Sequence, residues 1–114
     1  MILVYLILAH LAGDFIFQPK SLVKWKMRSK KGLLVHVFIH FVIILLVLIP
    51  YLLKGFLWPL AVAFAISTTH FFIDLAKITY IKRHTSGPKP FFLDQAAHLA
   101  VIFLIFILIT AIAP

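Results

Sequence analysis

The sequence predicts an all-α membrane protein, a bundle of four transmembrane helices with both termini on the outer side. Three observations predict it. Hydrophobic residues make up 64% of the 114 residues and charged ones 12%, far from the balance of a water-soluble domain. The apolar residues gather into four runs, and a run of about 17–25 residues crosses a bilayer. The 11 Lys and Arg residues fall almost wholly in two of the three connections between those runs.

The runs cover about residues 2–17, 33–52, 60–81 and 91–113, and residues 1–114 form one integral membrane domain. The first run, within MILVYLILAHLAGDFIFQ, lacks a basic leader and carries His10 and Asp14 where a cleavable signal would be purely apolar. It reads as a retained helix, short enough to bring Asp14 close to an interface. The stretch SLVKWKMRSKK that follows interleaves Leu22, Val23, Trp25 and Met27 with basic residues. It fits either an amphipathic piece lying along the membrane surface or a solvated basic loop. Pro50 and Pro59 flank the second connection as helix breakers. Pro88 and Pro90 punctuate the third connection just before the last run, and His84 in KRHTSGPK reads as an ordinary loop residue.

Orientation follows from basic charge. The first connection holds Lys20, Lys24, Lys26, Arg28, Lys30 and Lys31, the third holds Lys77, Lys82, Arg83 and Lys89, and the second only Lys54. Connections one and three therefore face the cytoplasm, and both termini lie outside. The net charge of +8 would suggest nucleic acid in a soluble protein. Confined to membrane-flanking loops, it points instead to anionic lipid headgroups. There is no cysteine, which removes disulfides and thiolate metal sites.

The acidic residues are only three, Asp14, Asp74 and Asp94, and each has a histidine four positions away: HLAGD, HFFID and DQAAH. His36 and His40 form a fourth pair in HVFIH. Residues at i and i+4 stack on one helix face, so each run carries one polar stripe. Counted from the cytoplasmic ends at 1.5 Å per residue, His10, Asp14, His36, His40, His70, Asp74, Asp94 and His98 all fall roughly 5–16 Å below that surface. Helices running in alternating directions thus deliver their ionisable groups to one layer, and a bundle hides such stripes by turning them inward.

Imidazole and carboxylate are the usual ligands of zinc and also suit iron or manganese, and helical bundles build metal sites from inward-facing side chains. One buried His–Asp pair is more simply a strut between helices; four pairs at one depth favour a metal or proton-relay site. The metal ligands expected are His10, His36, His40, His70, Asp74, Asp94 and His98. Asp14, Asp74 and Asp94 are the expected catalytic groups, shared between ligation and proton transfer. The cofactor expected is a divalent metal, zinc before others. Ser67, Thr68, Thr69, Gln18 and Gln95 read as helix–helix hydrogen-bonding residues. Lys77 either pairs with Asp74, three residues before it, or reaches out to the interface, the latter being preferred. Most of the 12 phenylalanines read as packing and lipid-facing bulk.

The stretches HLAGDFIFQPK, HVFIHF, THFFIDLAK and FFLDQAAHLAVI resemble an uncharacterised bacterial membrane family, domain of unknown function 3307. The resemblance runs over essentially the whole chain. It implies a small multi-pass protein of the bacterial inner membrane and marks His10, Asp14, Gln18, His36, His40, His70, Asp74, Asp94, Gln95 and His98 as the family's polar positions. It implies no activity. In chemistry alone, the layer is similar to the intramembrane zinc hydrolases of the ceramidase and adiponectin-receptor kind.

The function expected is therefore a metal-dependent hydrolase acting on a lipid of the inner leaflet, with the basic first connection holding an anionic headgroup. Two alternatives stand beside it: a subunit of a metal-ion or proton transporter or channel, and a structural protein held by His–Asp struts. Nucleic acid is not expected as a partner. A second copy of the chain is, since four short helices enclose little space.

Overall fold

A computed structural model describes residues 2–83 and 88–112; His84 lies outside them. The described residues form helices and connections, without a strand: α1 (Ile2–Leu11), which runs on into a π-helical turn (Ala12–Ile16), α2 (Lys20–Arg28), α3 (Lys30–Val47), α4 (Ile49–Leu53), α5 (Trp58–Arg83) and α6 (Pro88–Ile112). Helices are the expected solution for segments this apolar, because a helix satisfies its backbone groups internally where no water can.

Local chemistry explains the breaks. Ser29 caps α3, its Oγ accepting from the Lys31 amide at 3.1 Å. Pro50, in the first turn of α4, has no N–H to continue the ladder of α3, so the second apolar run is two helices rather than one. Pro88 and Pro90, expected in the loop, instead stand in the first turn of α6. Proline is accepted there because those amides have no helical partner anyway.

Three helices, α3, α5 and α6, are long and apolar enough to cross a membrane. The fourth expected span falls short on its own. Ile2–Ile16 qualifies only together with Lys20–Arg28, from which it is bent by 90°. The basic stretch after the first helix is thus an ordered amphipathic helix, α2, rather than a solvated loop, with Leu22 and Lys26 buried. It lies tightly on the start of α3. A Cβ on Gly32 would stand 2.6 Å from the Trp25 carbonyl carbon and 2.7 Å from the Lys26 nitrogen, so glycine permits the approach.

The long helices close a ring, α1 against α3, α3 against α5, α5 against α6 and α6 against α1. The ring divides into two halves along its axis. At the end formed by the start of α1 and α5 and the finish of α3 and α6, Leu6, Ala9, Ile44, Leu48, Val62, Ala63, Ile66, Ile102 and Ile109 make an apolar core. Among the described residues, the opposite end has a smaller apolar cluster, Leu33, Val37 and Ile78, with Met27, Phe71 and Leu75 packed against it. The space between the helices there is filled by imidazoles and carboxylates. Large apolar residues cover the outside, Phe38 at 64% exposed and Phe64 at 68% among them, which suits lipid rather than water as the surrounding medium.

Candidate metal centre

The π-helical turn sets Asp14 apart from the other acids. The Phe17 amide donates to the Ala12 carbonyl at 2.9 Å, an i→i+5 bond, and Asp14 sits inside that widened turn. Single π turns recur at functional sites because they re-aim one side chain out of helical register. Gly13 beside it is equally constrained, since a Cβ there would collide with the His40 ring. The turn and the glycine together let α1 push its carboxylate against α3.

Asp14 is the hub of what results. Its Oδ1 lies 2.9 Å from His40 Nε2, 3.2 Å from His36 Nε2 and 3.3 Å from His70 Nε2. Its Oδ2 lies 3.4 Å from His10 Nε2. Asp74 on α5 forms a second node, its Oδ2 being 3.3 Å from His36 Nε2 and 3.4 Å from His70 Nδ1, and its Oδ1 3.2 Å from His98 Nε2. His98 also lies 3.1 Å from Asp94 Oδ1. All eight residues, contributed by α1 with its π turn, α3, α5 and α6, are at most 8% exposed. The rings are close: His70 has its centroid 4.0 Å from that of His40 and 3.9 Å from that of His98. Every histidine and aspartate that the sequence singled out is thus in one cluster.

A shell of other side chains holds it. Gln95 is used three ways: its amide donates to Asp14 Oδ2 and to Asp94 Oδ2, both at 3.1 Å, and its carbonyl is 3.0 Å from His10 Nε2. Gln18 donates to the Asp14 backbone carbonyl at 2.8 Å, which ties the π turn to the chain after it. Thr69 does not bridge helices; its hydroxyl donates to the carbonyls of Ala65 and Ile66 on its own helix, both at 2.9 Å. Thr68 is exposed, and Ser67 is buried with no partner for its hydroxyl among the described residues.

The family model described as protein of unknown function (DUF3307) matches residues 2–113. The chain belongs to that family. No curated protein and no solved structure matches it. Membership in DUF3307 brings no activity with it, so what the cluster can do has to come from its own geometry.

Could the DUF3307 cluster hold a metal ion? Three sets of ligand atoms come within 4.8 Å of one another: His10, Asp14, His40 and His70; His36, His70 and Asp74; and Asp14, Asp94 and His98. Hydrogen bonding alone leaves the cluster poorly satisfied. Both ring nitrogens of His36 and of His70, and Nδ1 of His40, are buried without a hydrogen-bond partner among the described residues, although several lie near carboxylates. A neutral imidazole has one N–H and one bare lone pair, and lone pairs facing carboxylates repel. A cation between them removes the conflict. The spacing suits one: nitrogen and oxygen ligands about 2.0–2.1 Å from a tetrahedral ion stand about 3.3 Å apart, and most separations here are 3.1–3.4 Å. The residues fit the group.

Two lysines were missed. Lys26, on α2, is 6% exposed, and its Nζ is 3.5 Å from Asp74 Oδ2. Its signal was present, since Leu22 and Lys26 share one face of an amphipathic helix at i and i+4. Lys77 was expected to reach the interface or pair with Asp74. The carboxylate it meets is that of Asp94 on the neighbouring helix, the lysine Nζ lying 3.2 Å from Asp94 Oδ2. Among the described residues, three carboxylates thus face two ammonium groups.

Proposed function

We propose that this chain is a membrane protein whose His/Asp cluster is a divalent-metal site near the cytoplasmic interface, with zinc the favoured ion, and that it serves hydrolysis of a lipid ester, amide or phosphoester bond. The observation that carries this reading is the meeting of five imidazoles and three carboxylates from the helices of one ring at ligand-like spacing, with buried ring nitrogens unpartnered. Carboxylates inside an apolar helix cost roughly 3 kcal/mol each on insertion scales. Apolar packing would hold the bundle without them, so their presence is better explained by a site than by struts.

A divalent ion bound there would supply Lewis acidity, polarising a substrate oxygen and acidifying water. The chain's own residues divide the remaining work. Asp14 and Asp74, each reached by three or more imidazoles, would hold the ligand set together. Asp94 is the carboxylate tied to the outer lysine, which makes it the group best placed for proton transfer with an incoming substrate. Gln95 holds Asp14 and Asp94 in fixed relation. The basic flanks of α2 and α5, with the rule that such flanks face the cytoplasm, support an orientation with both termini outside. The apolar core that fills the other half of the ring speaks against passage of ions through one chain.

Elemental analysis of the purified protein at neutral pH, prepared without chelator, tests the site. The expected result is at least one equivalent of a divalent transition metal per chain, removed by strong chelators. A preparation with metal at background level overturns the reading.

A further inference from the structure

A groove of about 320 Å³ opens on the outside of the bundle between α5 and α6. It exists because small residues face each other there, Ala76 on one helix and Ala97 on the other, between the apolar side chains of Ile73 and Leu93. Lys77 and Asp94 complete the wall, and they are the pair joined at 3.2 Å. A second groove, walled by Phe38, Phe41, Phe64 and Phe71 beside Ser67, touches no member of the cluster. The α5–α6 groove is different in kind, because one of its walls is a carboxylate of the candidate centre.

We infer that this groove is the lateral entry for a lipid with an anionic headgroup, its acyl chain lying along Ile73, Ala76, Leu93 and Ala97 and its phosphate held by Lys77. Charge and chemistry pick the occupant. The walls are mostly apolar and suit an acyl chain, with Tyr80 and the Lys77–Asp94 pair as their polar members. Among the described lining residues the cation is Lys77, paired with Asp94, and an ammonium has three donors of which that carboxylate takes one. From Lys77 the polar contacts run inward without a gap: Asp94 Oδ2 accepts from Gln95 at 3.1 Å, and Gln95 donates to Asp14 at 3.1 Å. A headgroup at Lys77 is thereby two side chains, Asp94 and Gln95, away from the hub. The lipid site stands on the groove and the ion pair; its role as the substrate's route rests on the hydrolytic reading above.

Native mass spectrometry tests it, on protein released from vesicles of equal parts phosphatidylglycerol and phosphatidylcholine. Wild-type protein is expected to retain one phosphatidylglycerol per chain in roughly fivefold preference, the size of effect one basic residue exerts on an anionic lipid. Ala97→Phe, which fills the groove, abolishes retention, whereas Ala100→Phe at an exposed position outside it does not. Lys77→Gln keeps a lipid but loses the preference. Equal retention of both lipids by wild type, or full retention by Ala97→Phe, overturns the proposal. A second measurement does not depend on Ala97→Phe folding. A tryptophan introduced by Leu93→Trp, at a position 59% exposed, should be quenched more by brominated phosphatidylglycerol than by brominated phosphatidylcholine at equal mole fraction; equal quenching overturns it. Metal measured on the same samples separates the two readings, since selective lipid retention in a protein without metal supports the groove while removing the hydrolase.

Discussion

The two halves of the bundle are built by the same helices on opposite principles. In one half, Leu6, Ile44, Leu48, Val62 and Ile102 meet in an apolar core. Were the helices to lie in lipid, such contacts would gain only packing, because acyl chains are as apolar as the residues themselves. In the other half, buried imidazoles and carboxylates take the same interior positions, and each depends on a particular partner at a particular distance. The first half is expected to tolerate exchange of one apolar residue for another, and the second to resist exchange of its polar ones. The difference sets apart a half that packing alone can hold from one that needs specific polar partners, which is the contrast the proposed metal site rests on.

Four substitutions test that contrast, in falling order of effect. Asp14→Ala removes the one carboxylate reached by four imidazoles. Metal affinity, titrated with a competing chelator, should fall beyond the roughly 10–100-fold that loss of an outer-shell partner costs. Lys26→Met leaves Asp74 without its buried ammonium. Breaking a buried pair from one side costs about 3 kcal/mol, to be read as lowered stability to denaturant in detergent. An unchanged unfolding midpoint would show that the lysine is merely passing by. Gly13→Ala forces a methyl group into the His40 ring. Overpacking of that kind costs about 2 kcal/mol, and because the ring displaced is a candidate ligand, bound metal should fall along with stability. Ile44→Val in the apolar half should cost about 1 kcal/mol at most and leave metal content untouched. If Ile44→Val and Asp14→Ala altered metal content alike, the two halves would not be distinct.

Much of this was legible in the chain. The i, i+4 pairs and the basic flanks placed the eight ionisable residues at one level of the bundle, because the rise of a helix is fixed. The π turn at Ala12–Ile16 was not legible, since Gly13 and Pro19 mark a weak spot without saying how the backbone yields there. Lys26 was read as one basic residue of a loop or surface helix, yet it is buried; its spacing from Leu22 marked a shared face, but the carboxylate that face meets belongs to another helix. Lys77 was weighed against Asp74 on its own helix, and the carboxylate it found belongs to α6.

By itself the sequence determined which residues are too apolar for water, which face of each helix is polar and at which level along the helix that face lies. These follow from composition and from the fixed period of a helix. Only the tertiary structure decided which stripes meet: that Asp14 stands among the histidines of α1, α3 and α5, that α2 folds back to bring Lys26 to Asp74, and that a groove beside Asp94 opens sideways. Periodicity tells a helix which side to hide, whereas the order of helices around a ring, and the turn that bends the first of them, are set by packing between segments far apart in the chain.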